Sequence, residues 1–69
     1  MPKRRKEFEK LLKDKGIKPT ELAETLGYQS KYPVYKWIYG VSEPNAATML
    51  RLMELLEISA EEVLHLFAD

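Results

Sequence analysis

Apolar side chains gather in five stretches along the chain, each spaced as a helix spaces them. Nowhere do they alternate with the period of two that marks a strand. Phe8, Leu11 and Leu12 predict a first helix from about Lys3 to Lys15. Gly16 is a natural left-handed stop for it, with Leu12 placed to meet Ile17 across a Schellman turn. Leu22, Ala23 and Leu26 predict a second helix that starts at Pro19, where no backbone donor is needed, and stops at Gly27. At about two turns it needs its neighbours to persist. A third helix lies between Ser30 and Tyr39, with Gly40 as its stop. Two starts fit it: Ser30 as the N-cap with Pro33 in the first turn, or Pro33 as the first helical residue.

The fourth helix follows Pro44, with Asn45 as its cap, and runs to about Glu57. Its apolar residues Met49, Leu50, Leu52, Met53, Leu55 and Leu56 spread wider than a single stripe. Ser59 opens a fifth helix with a capping box, Ser59-Ala-Glu-Glu62, and Ile58 is placed to staple onto Val63. Residues 1–69 therefore read as one compact all-α domain of five helices joined by short connections. Met1 to Lys6 form a basic N-terminal arm, which the pattern allows to be flexible.

The third helix has two faces. At 100° per residue, Val34, Trp37 and Ile38 share one side, and Tyr32, Tyr35, Lys36 and Tyr39 the other. The first set is a packing face. The second is expected to meet solvent, and three tyrosines with a lysine suit a contact surface better than mere solubility. Phenol hydroxyls can bond phosphates, the rings can touch thymine methyls, and Lys31 or Lys36 can reach a phosphate or a guanine edge. A protein partner would also suit it, since tyrosine is enriched at binding hot spots. Periodicity alone identifies the face and leaves both partners open.

Composition narrows this only a little. The chain has no cysteine, so neither disulfides nor thiolate metal sites stabilise it, and its 45% hydrophobic content must supply the core. No run approaches the roughly 20 apolar residues of a membrane span. The basic start lacks the apolar run of a secretory signal, so a soluble cytoplasmic protein is expected. Net charge is zero, which is unusual for a nucleic-acid binder. The charge is unevenly placed: residues 1–20 carry +5, residues 21–50 carry −1 and residues 51–69 carry −4. No acid occurs between Glu24 and Glu43, which leaves a plausible phosphate-facing segment beside the basic N-terminus. His65 is the only histidine and no glycine-rich phosphate loop is present, so no enzyme, cofactor or metal is expected.

The order short helix, turn, second helix resembles the helix-turn-helix of the Cro and lambda-repressor-like family of phage and bacterial regulators. The residues that carry the resemblance are Pro19-Thr-Glu-Leu-Ala23, then Gly27, Val34, Trp37 and Gly40. The segment Gly40-Val-Ser-Glu-Pro-Asn-Ala-Ala-Thr-Met-Leu50 and the junction Leu56-Glu-Ile-Ser59 extend it, so that it covers about residues 8–67. It implies a lambda-repressor-like domain with the motif formed by the second and third helices. Ala23 would let those helices approach, Gly27 would make the turn, and Val34 and Trp37 would seat the recognition helix. The sequence departs from the family at three points. Pro19 stands where a phosphate-clamping glutamine is common. Gly27 to Val34 is seven steps where six is usual. The loop Val41-Ser-Glu43 is not basic.

The resemblance implies a transcriptional regulator of the repressor kind, with double-stranded DNA as partner and the third helix in the major groove. Candidate contacts to bases and nearby phosphates are Gln29, Ser30, Lys31, Tyr32, Tyr35 and Lys36. Thr20, Tyr39, Ser42 and Asn45 are candidates for backbone anchoring, and Lys3, Arg4, Arg5 and Lys6 for an arm along the DNA. One recognition helix per chain suggests a homodimer, at least on DNA, and Leu55, Leu66 and Phe67 are the residues expected to face a second copy. The competing class is a protein-interaction module on the same fold, such as an antitoxin or antirepressor.

Overall fold

The computed structural model describes residues 3–68. Its five helices are α1 (Lys6–Asp14), α2 (Pro19–Thr25), α3 (Tyr32–Ile38), α4 (Ala46–Leu56) and α5 (Ala60–Phe67), with no strand among the described residues. They surround one core. Phe8 and Leu12 enter it from α1, Leu22 and Ala23 from α2 with Leu26 at its end, and Val34, Trp37 and Ile38 from α3. Leu52 and Leu56 of α4 and Val63 and Phe67 of α5 complete it. No buried residue is polar or charged among those described, and none of their buried side-chain nitrogens or oxygens lacks a hydrogen-bond partner.

Two helix starts differ from the sequence expectation. α1 begins at Lys6 rather than near Lys3, because Arg5 is non-helical (φ −87°, ψ 79°) and its N–H donates to the Ile38 carbonyl of α3 at 2.6 Å. α3 begins at Tyr32, with Lys31 in the N-cap position and no side-chain cap, so neither Ser30 nor Pro33 opens it. Pro33 falls second, in the first turn, where its missing N–H has no helical acceptor to lose. Asn45 and Ser59 hold the N-cap positions of α4 and α5 as expected, Ser59 through its own half of the capping box. Asn45 Oδ1 accepts from Thr48 N at 2.9 Å and Ser59 Oγ from Glu62 N at 3.1 Å.

Phe67 corrects an expectation. It is not free for a second copy but 4% exposed, with its ring 5.0 Å from that of Phe8. Val63 and Phe67 are one turn apart on the inward stripe of α5, so Phe67 closes the core over α1. Leu66 is half-buried against the same core and Leu55 is 37% exposed. Leu50 and Leu64 are more exposed, at 61% each.

α1, α2 and α3 each end in a Schellman turn around a glycine with positive φ. α4 ends with the same backward bond, Ile58 N to Met53 O at 3.1 Å, but the left-handed position is held by Glu57 (φ 55°). A side chain in that conformation costs about 1–2 kcal/mol that glycine avoids. Gly40 is the opposite case, since a Cβ there would collide with the Lys3 backbone.

Two stability changes of opposite sign follow. Replacing Glu57→Gly is expected to stabilise the domain by about 0.5–1 kcal/mol, raising Tm by several degrees. Gly40→Ala combines backbone strain with the Lys3 collision and should cost about 2 kcal/mol or more. Thermal melting followed by circular dichroism checks both. An unchanged Tm for Glu57→Gly would show that no strain is stored there.

Candidate nucleic-acid interface

α2, the turn Leu26–Lys31 and α3 form a helix-turn-helix whose inner side is set by packing. Ala23 is almost fully buried in the core that α2 shares with α3. On α3, Val34, Trp37 and Ile38 are sunk in the core, which fixes the rotation of the helix about its axis. The turn is held from inside by Tyr28, half-buried with its ring edge-on to Trp37 at 5.9 Å.

With that face fixed, the outward residues fall in a row. Lys31 Nζ lies 5.8 Å from the Tyr35 ring, Tyr35 stacks on Tyr39 at 6.1 Å, and the Arg4 guanidinium lies 5.2 Å from the Tyr39 ring. Cations at both ends of an aromatic pair are held by the rings' negative faces. Tyr32 is the most exposed aromatic residue at 68%, and Lys36 is exposed beside the row. Tyr35 is partly covered, so the outward helix face is shallower there than the wheel suggests.

The remaining sequence candidates are placed less uniformly. Gln29 and Ser30 are exposed in the turn, and Thr20 is exposed at the start of α2. Ser42 is exposed after α3, its carbonyl held by Arg5 Nη1 at 2.8 Å. Asn45 spends its side-chain oxygen on the α4 cap, which leaves its NH₂ as the group able to reach a partner.

The segment Lys3–Arg5 is folded back rather than extended as an arm. Arg5 Nη1 donates to Trp37 O at 2.7 Å as well as to Ser42 O, and its guanidinium lies over the Phe67 ring. Arg4 forks onto Glu9 with contacts of 3.0 and 2.7 Å. Met1 and Pro2, the tip of the expected arm, lie outside the described residues.

Sequence reasoning missed Arg51. Its two terminal nitrogens donate to Leu26 O and Thr25 O at 3.0 and 2.9 Å, across from α4 to the end of α2. A signal was present: Arg51 is the only Lys or Arg after Lys36. His65 pairs with Glu7 at 3.2 Å on the exposed surface. Among the described residues, no group of three or more His, Cys, Asp or Glu side chains is placed to hold a metal ion. No helix among them is long and apolar enough to cross a membrane.

A family model described as the Cro/C1-type HTH DNA-binding domain matches residues 7–69. Comparison with curated proteins and with solved structures gave no match.

The Arg4–Glu9 pair gives a pH dependence. The hydrogen bond and charge of Arg4 hold the Glu9 carboxyl below the usual carboxylate range. A lowered folded-state pKa stabilises at pH values above the unfolded value, and that stabilisation is lost as pH falls through the folded one. The Tm difference between wild type and Glu9→Gln should therefore be constant near neutrality and shrink in acid. Exposure and screening make it small. A difference that grows toward low pH would contradict the pairing.

Proposed function

The chain belongs to the Cro/C1-type helix-turn-helix DNA-binding family, and we propose that it is a sequence-specific transcriptional repressor that lays α3 in the major groove of duplex DNA. The observation that carries this reading is the outward side of α3. Lys31, Tyr32 and Lys36 are exposed there, in a stretch without an acid between Glu24 and Glu43.

On this reading Gln29, Ser30, Lys31 and Tyr32 lie nearest the base edges. Amide and ammonium groups there can hydrogen-bond purine edges, and the Tyr32 ring can meet a thymine methyl. Tyr35 and Lys36 reach bases or flanking phosphates. Thr20, Tyr39, Ser42 and the Asn45 NH₂ donate to backbone phosphates at the margins, which positions the helix without reading sequence. Repression follows from occupancy of the operator.

Each chain carries one helix-turn-helix, α2 and α3, and half-sites lie roughly 34 Å apart, one DNA turn. A single copy thus covers one half-site, and two related copies read a two-fold site. Leu55 and Leu66 remain the candidates for the contact between copies, with Phe67 withdrawn by its burial.

Two measurements test this. In a salt titration on duplex DNA, Lys31→Ala/Lys36→Ala should bind roughly 10-fold or more weakly at low salt. Its log affinity against log salt should be shallower by about 0.9 for each of the two lysines that meets a phosphate. A wild type without DNA affinity at low salt would overturn the reading and turn attention to the tyrosine row as a protein interface. In the second, Leu55→Lys should lose affinity for a duplex with two half-sites while binding one half-site as wild type does. Equal losses on both duplexes would remove Leu55 from the contact between copies.

A further inference from the structure

We infer that Arg51 is a positioning residue of the DNA interface: from α4 it grips the carbonyls that end α2, and so sets the course of the turn that carries Gln29, Ser30 and Lys31. The functional half of this rests on the DNA-binding reading above, and the structural half on geometry alone.

A helix leaves its last carbonyls without helical partners. In α2 they can be followed one by one. Leu22 O accepts from Leu26 N, Ala23 O from Tyr28 N and Glu24 O from Gly27 N, at 2.9–3.0 Å. Thr25 O and Leu26 O accept from Arg51. α3 is closed in the same manner by a second arginine: Trp37 O accepts from Gly40 N and Arg5 Nη1, and Ile38 O from Arg5 N. Each helix of the motif thus ends on an arginine from outside it. A planar fork with two parallel N–H groups suits two neighbouring carbonyls, and its charge opposes the negative end of the helix dipole.

The two arginines differ in what else they hold. Arg5 also bonds Ser42 O and lies 5.1 Å from the Phe67 ring centroid, so removing it disturbs α1, α3 and α5 together. Arg51 is exposed, and its hydrogen bonds go to the end of α2 alone. The side chains of Gln29, Ser30 and Lys31 make no hydrogen bond within the described residues. What fixes the turn is the buried Leu26 side chain and Tyr28 against Trp37 on one side, and Arg51 on the other. Loosening the second lets the turn drift relative to α3 without touching the core.

The test uses Arg51→Met and Arg51→Lys in the full chain, with two duplexes: a site selected by wild type from a random pool, and a random-sequence duplex. Trp37, the only tryptophan, supplies a readout without DNA, because Tyr28 lies against it. Arg51→Met should keep its helical spectrum and cooperative melting, shift the Trp37 emission, and lose 10-fold or more in affinity for the selected site. Affinity for random duplex and its salt slope should stay as in wild type. Arg51→Lys, which keeps the charge but not the fork, should fall between. A selected-to-random ratio unchanged from wild type would overturn the inference. So would equal losses on both duplexes with a slope shallower by about one, which would make Arg51 a phosphate contact. If Arg51→Met does not fold, the ratio for Arg51→Lys decides in the same way. A wild type without DNA affinity fails the functional reading, and Trp37 emission in the variants then decides whether Arg51 holds the turn.

Discussion

A seven-residue helix closes few of its own hydrogen-bonded rings, because its first N–H groups and last carbonyls have no helical partner. α2 and α3 are both of that length, and neither would persist alone. Core packing of their apolar faces holds them, and their carbonyl ends are closed from elsewhere. Glycine-centred Schellman turns close part of each end, and Arg51 and Arg5 close the rest. The recognition motif is therefore not self-contained. Its two helices are stopped, and in being stopped are joined, by α4 and by the segment before α1.

Core packing then decides what the motif presents. Val34, Trp37 and Ile38 leave α3 no freedom to rotate, since turning it would bring Lys36 or Tyr32 into an interior that buries no polar or charged residue among those described. The outward row Lys31–Tyr35–Tyr39–Arg4 is the geometric complement of that packing. A contact surface built this way is ordered before any partner arrives, so less side-chain entropy is lost on binding. The same packing ties stability to recognition: a change that loosens Trp37 also releases Tyr28 and the turn.

The elements legible in the sequence were those written in local chemistry. Gly16, Gly27 and Gly40 mark the ends of three helices, and Asn45 and Ser59 cap two. The split of α3 into a packing and an outward face needed only its period. What stayed hidden depended on contacts distant in the chain. Nothing near Arg5 says that its N–H bonds Ile38, which is why α1 starts later than its pattern suggests. Phe67 read as a candidate for a second copy because its partner, Phe8, lies at the other end of the sequence. Arg51 left only the faint trace of a lone cation. Glu57, in a left-handed turn with no glycine, left none.

Zero net charge is less of an obstacle to meeting a polyanion than it first appears. Charges farther apart than about 8 Å are largely screened at physiological ionic strength, and this body measures 27 × 24 × 23 Å. What a phosphate meets is therefore the local surface and not the sum. Four of the acids, Glu7, Asp14, Glu61 and Glu62, line a groove between α1 and α5 to which α3 contributes no residue. Glu9, which reaches the row through its pairing with Arg4, is already tied to a guanidinium. The α3 side is left with Lys31 and Lys36 in a stretch free of acids from residue 25 to residue 42. Segregation of charge thus does locally what an overall positive charge does in a more basic domain.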